Sequence, residues 1–203
     1  MIVSVLVAIS GYSGPEKESY SMINHFISEL GHNKHSPTAP VFNNGLIASS
    51  LLLTLFGWGF GQTFSGWSRY VVLLLGLGAG IFCGLVGIFP VGNLQTHIFV
   101  AMAFFQTALV LVFFCTGLTF FSKMSPLPKW TVIPGIITGL IFGAFILSPT
   151  DLVRAWIKDP ESFVRPIYWE QCMLEWACFF SIIGWILMVA VLTIRRTKTM
   201  QAA

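Results

Sequence analysis

The run HIFVAMAFFQTALVLVFFCTGLTFF, residues 97–121, decides the fold class of this chain. It contains no lysine, arginine, aspartate or glutamate. As a helix that rises 1.5 Å per residue, the run is about 36 Å long. The hydrocarbon core of a bilayer is roughly 30 Å thick, and about 20 apolar helical residues can cross it. We therefore predict that the run is a transmembrane helix.

Four further stretches have the same apolar character, so the chain has five predicted spans: 42–64, 70–91, 97–121, 130–148 and 172–194. None of them shows the alternation of a strand, and a bilayer admits only helices and closed barrels. Residues 1–12, MIVSVLVAISGY, are apolar but only about 18 Å long as a helix, so we interpret them as a short or truncated first span. The prediction is an all-α, polytopic transmembrane helical bundle with five full spans and a partial first one.

The composition fits a surface that faces lipid. Hydrophobic residues make up 55% of the chain, charged residues make up 9%, and the mean hydropathy is +0.79. Soluble domains carry about 25% charged residues. We predict a single membrane domain over 1–203, with no cofactor, and no nucleic-acid partner because the basic residues are scattered between spans. The four cysteines fall within apolar runs and are predicted to be free thiols: Cys83, Cys115, Cys172 and Cys178.

The basic residues predict an orientation. One set of connections is short and holds six basic residues and no acid: Arg69, Lys123, Lys129, Arg195, Arg196 and Lys198. The other connections are longer and hold five basic and seven acidic residues. Short segments rich in lysine and arginine stay in the cytoplasm. We therefore predict a basic cytoplasmic tail at 195–203, with the C-terminus in the cytoplasm.

Two longer segments then lie on the non-cytoplasmic side. The first, 13–41, is a polar loop, and the second, 149–170, is an interfacial loop. In the second, Thr150 can begin a short helix that is interrupted at Pro160, and we expect this helix to lie on the membrane surface. Aromatic residues around it suit the level of the lipid headgroups: Trp156, Tyr168 and Trp169.

Glycines recur every fourth residue on three spans. In lipid, small residues mark the places where helices touch. We favour packing inside the bundle as their role, and a seam between copies of a homo-oligomer is the alternative. The rows are Gly76, Gly80 and Gly84 on one span, Gly135, Gly139 and Gly143 on another, and the pair Gly57 and Gly61.

The segment before the second span resembles a known family. Its pattern is SELG at 28–31, then Pro37, then Phe42, Asn43 and Gly45 at the start of a span. GLVGIFP at 84–90 followed by His97, and the last span with EQCMLEW and GWILMV, extend the pattern. The chain thus resembles a prokaryotic family of six-span membrane proteins catalogued as a domain of unknown function. The Ser-x-x-Gly and Pro/Phe spacing is also similar to the eukaryotic autophagy-modulator and GPI-lipid-remodelling family.

The first resemblance implies a six-helix integral membrane fold and, because that family is prokaryotic, the plasma membrane of a prokaryote. It implies no activity. This chain departs from the pattern in its shortened first span, in Glu29 where an aspartate is more frequent, and in the additional His32 and His35.

Polar residues gather at the predicted non-cytoplasmic rim. Glu175 lies about one turn inside the last span, where an unpaired ionised carboxylate is costly, so it needs a partner, a water-filled cleft or a proton. His97 or the hydroxyl of Ser28 could supply the hydrogen bond. Gln106 lies deeper and could form the floor of a cleft. The candidate ligand-binding residues are His25, Ser28, Glu29, Asn43, His97, Gln106 and Glu175.

Three functions could use these residues, and we favour binding of a membrane lipid or another small amphiphile at the rim. The first alternative is an intramembrane lipid-modifying hydrolase that uses His25, Ser28, His97 and Glu175. His32 and His35 of HNKH could contribute metal ligands, although their spacing matches no established metal motif. The second alternative is a proton-linked small-molecule transporter in which Glu175 carries the proton. The sequence leaves open whether any reaction is catalysed.

Overall fold

The structure, a computed structural model, describes residues 1–15, 17–122, 125–159 and 162–202. These residues form helices joined by loops and contain no strand, so the all-α prediction is confirmed. Two residues used above, Lys123 and Pro160, lie outside the described residues.

Five long helices carry the spans, and two short helices lie at one end of the bundle. Among the described residues, five segments are long and apolar enough to cross a membrane, which confirms the five predicted spans. The long helices are α2 Ala39–Gly61, α3 Gly66–Ile88, α4 Leu94–Phe121, α5 Val132–Leu147, which follows a 3-10 turn at Lys129–Thr131, and α7 Glu170–Ala202. The short ones are α1 Ile2–Ser10, about 12 Å long, and α6 Asp151–Lys158.

Helices that follow one another in the chain pack side by side. α2 packs on α3, α3 on α4, α4 on α5, and α5 on α7, while α1 packs against α2. α2 and α7 complete the ring but contact each other sparsely. They meet where Phe60 packs on Trp185, with ring centroids 6.2 Å apart. Part of the space between α2 and α7 is a gap lined by residues of both helices, among them Leu52 and Leu187.

The two ends of the bundle differ in character. We call the end that carries α6 and the described residues of segments 11–38 and 148–169 the loop-rich end. At the opposite end, the Nζ atom of Lys129 donates hydrogen bonds to the carbonyls of Thr119, Phe120 and Ser122 at 2.6, 2.9 and 3.3 Å. These carbonyls close α4, and the last carbonyls of a helix have no partner within it. A cation at this position also interacts favourably with the helix dipole.

The predicted glycine rows bring helices into close contact inside the bundle. A Cβ atom at Gly76 would lie 2.9 Å from the backbone of Gly57, so α2 and α3 touch there backbone to backbone. Other glycines meet side chains of the adjacent helix: Gly80 faces Thr54, Gly84 faces Ser50, Gly135 faces Thr116, and Gly139 faces Phe113. Gly143 differs, because nothing lies within 4 Å of the position of its Cβ.

We predict that Gly76→Ala destabilises the bundle, since the new methyl group can be accommodated only if the α2 backbone moves. Overpacking of this kind costs about 1 to 3 kcal/mol. Gly143→Ala, the matched control, should leave stability unchanged or slightly higher because alanine favours a helix. Thermal unfolding of both variants in one detergent measures the difference, and equal melting temperatures would contradict the close contact at Gly76.

Candidate ligand-binding site

A short 3-10 helix, Ile27–Gly31, is the centre of the loop-rich end. It packs against α1, α2 and α7. Ile27 and Leu30 are one 3-10 turn apart, so they share a face. Both are buried in a cluster with Phe42 of α2 and Trp176 of α7. The apolar pair in ISELG thus fixes a segment that the sequence describes as polar.

The carboxylate of Glu29 is buried and fully engaged. Its Oε1 accepts a hydrogen bond from the backbone N–H of Phe26 at 2.8 Å. Arg165 donates from Nη1 to Oε1 at 3.1 Å and from Nη2 to Oε2 at 2.7 Å, the bidentate geometry of strong charge-assisted pairs. Burial lowers the pKa of Arg165, but the hydrogen bonds and charge of Glu29 outweigh it and leave this pKa raised. Arg165 therefore forms a stable ion pair with Glu29.

Arg165 also joins the two loops of this end into one unit. Its guanidinium lies 5.7 Å from the ring centroid of Trp169. The backbone N–H of Trp169 donates to the Ile23 carbonyl at 2.9 Å, and Asn24 Nδ2 donates to the Pro166 carbonyl at 3.3 Å. We call this unit, residues 20–31 with 162–169, the cap.

The structure differs from the expectation that Trp169 contacts the lipid headgroups. Trp169 is 1% exposed and packs against Phe26 and Phe163 inside the cap. Tyr168 is 73% exposed, so the two neighbouring aromatic residues have different environments. The predicted short helix is present as α6, ending at Lys158.

Glu175 binds the 3-10 helix from the side of α7. Its Oε2 accepts a hydrogen bond from the backbone N–H of Ile27 at 2.6 Å, and the carboxyl group also interacts with the backbone N–H and the hydroxyl of Ser28. The first N–H groups of a helix have no partner within it. Glu175 of α7 therefore caps the N-terminus of the 3-10 helix, and its carboxyl group receives hydrogen bonds in return.

His97 is held by the loop between α3 and α4. It is buried, and its Nδ1 lies 2.8 Å from the carbonyl oxygen of Phe89. A carbonyl can only accept, so Nδ1 carries the proton. In the neutral ring, Nε2 is then a hydrogen-bond acceptor.

A cavity of about 650 Å³ lies between the helices, with Ser28, His97 and Glu175 among its lining residues. All three come from the loop-rich end of their elements, and most of the remaining lining is apolar. Lining residues run along α7 from Glu175 to Leu187, a distance of about 18 Å. The cavity reaches the outer surface of the bundle, because four of its lining residues are also exposed: Ile2, Val3, Leu52 and Leu187.

The other four predicted site residues lie elsewhere. Glu29 is bound to Arg165, and Asn43 donates from Nδ2 to the Gly31 carbonyl at 3.1 Å, which ties the 3-10 helix to α2. Gln106 is exposed on α4 and does not line the cavity, so the idea that it forms the cavity floor is wrong. His25 is buried inside the cap, as described next.

The ring of His25 is enclosed by residues of the cap together with Tyr12 and Glu18. Its Nδ1 lies 2.8 Å from Asn24 Oδ1, and its Nε2 lies 3.6 Å from a carboxylate oxygen of Glu18. Tyr12 and Tyr20 pack against the ring, with centroids 5.5 and 5.3 Å away. Burial lowers the pKa of His25, partly offset by the nearby carboxylates, so a neutral ring is favoured.

These contacts give the hydrolase alternative little geometric support. Ser28 interacts with Glu175, whereas the described hydrogen bonds of His25 and His97 go to Asn24 and Phe89. The rings of His32 and His35 lie 4.3 Å apart, outside the cavity. Burial, with the charge of the neighbouring His35, lowers the pKa of His32. No group of three or more His, Cys, Asp or Glu suited to a metal ion occurs in the described part of the chain.

The sequence did not indicate the role of Arg165 or of three buried or half-buried aromatic side chains that donate hydrogen bonds in this region: Tyr12, Tyr20 and Trp176. The hydroxyl of Tyr20 donates to the Phe26 carbonyl at 2.9 Å, and Trp176 Nε1 donates to the Tyr20 hydroxyl at 3.0 Å. Tyr12 donates to Glu29 at 3.4 Å. Burial, with the charge of a nearby carboxylate, raises the pKa of both tyrosines, so both hydroxyls remain donors. The available signal was Glu29 itself, a carboxylate in an apolar turn that requires a cation.

The five apolar spans and the buried polar cap define the class: a polytopic helical integral membrane protein. The chain belongs to the family described as "Protein of unknown function (DUF998)", whose model matches residues 1–192. The predicted family membership is thereby confirmed. No curated protein and no solved structure matches the chain.

We predict that Arg165→Met strongly destabilises the protein, because it leaves Glu29 buried without its cation. Removing one partner of a buried pair costs about 3 kcal/mol or more. Arg154→Met removes an exposed arginine of α6 and is the matched control. The double variant Arg165→Met/Glu29→Gln should recover part of the loss in thermal unfolding. Full stability of the single variant would contradict the importance of the pair.

For Glu175 we predict a graded effect on the 3-10 helix. Glu175→Gln retains an acceptor for the Ile27 N–H, whereas Glu175→Ala leaves that buried donor unpaired, at about 1 to 3 kcal/mol. Hydrogen exchange of the Ile27 and Ser28 amides should accelerate far more in the alanine variant. If both variants protect these amides as well as the parent chain does, Glu175 does not cap the helix.

Proposed function

We propose that this protein binds a lipid or small amphiphile in the cavity beneath its cap. The observation that carries the proposal is the division of the lining: Ser28, His97 and Glu175 at one end and apolar side chains along the rest. An amphiphile has the same division between head and tail. Ligand sites of about 300 to 1,000 Å³ with a few fixed polar groups are typical of small-molecule binding.

The exposed lining residues support entry from the bilayer. Leu52 of α2 and Leu187 of α7 are on the two helices that contact each other sparsely. A tail could therefore pass between α2 and α7 without crossing water. Transfer of the tail from the bilayer into an apolar cavity costs little free energy, so the contacts of the head determine the free energy of binding.

We also propose that the loop-rich end faces away from the cytoplasm. The opposite end holds short connections with Arg69 and Lys129, and the end of α7 carries further basic residues. Cytoplasmic connections carry an excess of lysine and arginine. In this orientation the polar end of the cavity lies in the non-cytoplasmic leaflet. To test the orientation, a cysteine is placed in segment 32–37 and treated, in intact cells, with a thiol reagent that cannot cross the membrane; labelling is expected.

To test binding, we predict the lipid content of two matched variants. Ala101→Phe introduces a ring into the cavity lining, whereas Ala48→Phe introduces the same ring on the exposed face of α2. Native mass spectrometry of gently extracted protein should detect a bound amphiphile in the parent chain and in Ala48→Phe. We expect at least about tenfold less in Ala101→Phe, which corresponds to 1.4 kcal/mol.

The proposal fails if all three proteins carry the same amount of amphiphile, or if the parent chain carries none after extraction and after incubation with lipid. Thermal unfolding of both variants shows whether each remains folded. Should Ala101→Phe unfold, Ser49→Phe, which places the ring in the same cavity from α2, replaces it.

A further inference from the structure

We infer that the cavity selects an amphiphile with one chain and a hydrogen-bond-donating head that carries no negative charge, such as a hydroxyl or an ammonium group. This inference rests on the proposed function and specifies its ligand. Three features of the polar end carry it: the groups that face a head are acceptors, no lysine or arginine lines the cavity, and the nearest helical amides are already used.

The first feature is the acceptor character of the polar end. The carboxyl oxygens of Glu175 already face the Ile27 N–H and the N–H and hydroxyl of Ser28, so this side chain acts as an acceptor at the polar end. His97 donates from Nδ1 to Phe89, so its Nε2 is an acceptor in the neutral ring. A head that donates hydrogen bonds can pair with both residues.

The second feature is the absence of a basic side chain. Neither lysine nor arginine occurs among the described residues that line the cavity. Arg165 is close in the fold, but both of its terminal nitrogens are bound to Glu29 within the cap. An anionic head would face the acceptor atoms of Glu175 and His97 with no cation to pair with, and a buried charge without a partner is costly.

The third feature is that the free N–H groups of the 3-10 helix, which could otherwise bind an anion, are already occupied. The free N–H groups at the start of a helix attract phosphate and carboxylate groups. In this protein the N–H groups of Ile27 and Ser28 already bind the carboxyl group of Glu175. The protein's own carboxylate thus occupies the position that an anionic head would need.

One positive charge approaches the cavity elsewhere. The amino group of Met1 lies near Cys83, and both residues line the cavity. Met1 lies at the start of α1, and its side chain is close to Gly45 of α2. A chain extended before Met1 removes the amino group from this position and is therefore the control for its contribution.

The volume limits the tail. At the roughly 30 Å³ that one water occupies in the liquid, a cavity of about 650 Å³ accommodates about 20 non-hydrogen atoms. Its length along α7 is about 18 Å, close to one leaflet of a hydrocarbon core roughly 30 Å thick. One long alkyl chain fits these dimensions, whereas two such chains with a phosphodiester head exceed the cavity volume.

The experiment compares four amphiphiles with the same chain and different heads. Tritium-labelled hexadecanol, hexadecylamine, hexadecanoate and hexadecyl phosphate are added to the full chain in nanodiscs of phosphatidylcholine. Nanodiscs that contain the Ala101→Phe variant measure the amphiphile that dissolves in the lipid without entering the cavity, and this amount is subtracted. Nanodiscs that contain Ala48→Phe show the effect of the same substitution outside the cavity. We expect hexadecanol and hexadecylamine to bind at least about tenfold more tightly than the two anions. Glu175→Gln should reduce the preference for the amine over the alcohol.

The outcomes separate this inference from the proposed function. If the anions bind as tightly as the alcohol and the amine, and Ala101→Phe abolishes that binding, the head selectivity is wrong and the amphiphile site stands. If Ala101→Phe changes the binding of none of the four, both proposals fail. An anion preference that disappears in the chain extended before Met1 would assign the head to the amino group and overturn the inference.

Discussion

The hydrogen bond from the Ile27 N–H to the carboxyl group of Glu175 is the contact on which the loop-rich end depends. Each partner would be costly alone, the first as a buried amide without an acceptor and the second as a carboxyl group inside a membrane-spanning helix. Together they remove both costs. Because the contact joins residues far apart in the chain, it also determines where the 3-10 helix lies against α7, and hence which residues form the polar end of the cavity.

The second carboxylate of this end, Glu29, acts on the same helix from within. It accepts the Phe26 N–H and binds Arg165, so it attaches the loop after α6 to the loop after α1. The two acidic residues have separate roles as a result. Glu29 is saturated by its partners and holds the cap together, whereas Glu175 borders the cavity and retains acceptor capacity. Their spacing in the sequence gives no indication of this division.

The spans were predictable because the bilayer imposes a length and an apolar composition that single sequences display directly. The need of Glu175 for partners followed from its depth, and Ser28 was among those named. Arg165 was not predictable, since a basic residue in a polar loop is ordinarily solvated and its partner lies 136 residues away. The position of Gln106 depends on the rotation of α4, a helix that is apolar on every face, so hydropathy could not orient it.

The arrangement of cap and gap constrains how a ligand would exchange. The 3-10 helix forms the polar end of the cavity and is held by buried hydrogen bonds, whereas α2 and α7 contact each other sparsely. Leu52 and Leu187 line the cavity on these two helices, and both are exposed. Opening the cap would instead expose the Glu29–Arg165 pair and the amides that Glu175 satisfies. If the protein binds an amphiphile as proposed, we therefore expect exchange through the lipid-facing gap, with the cap closed and the head paired with the acceptors beneath it.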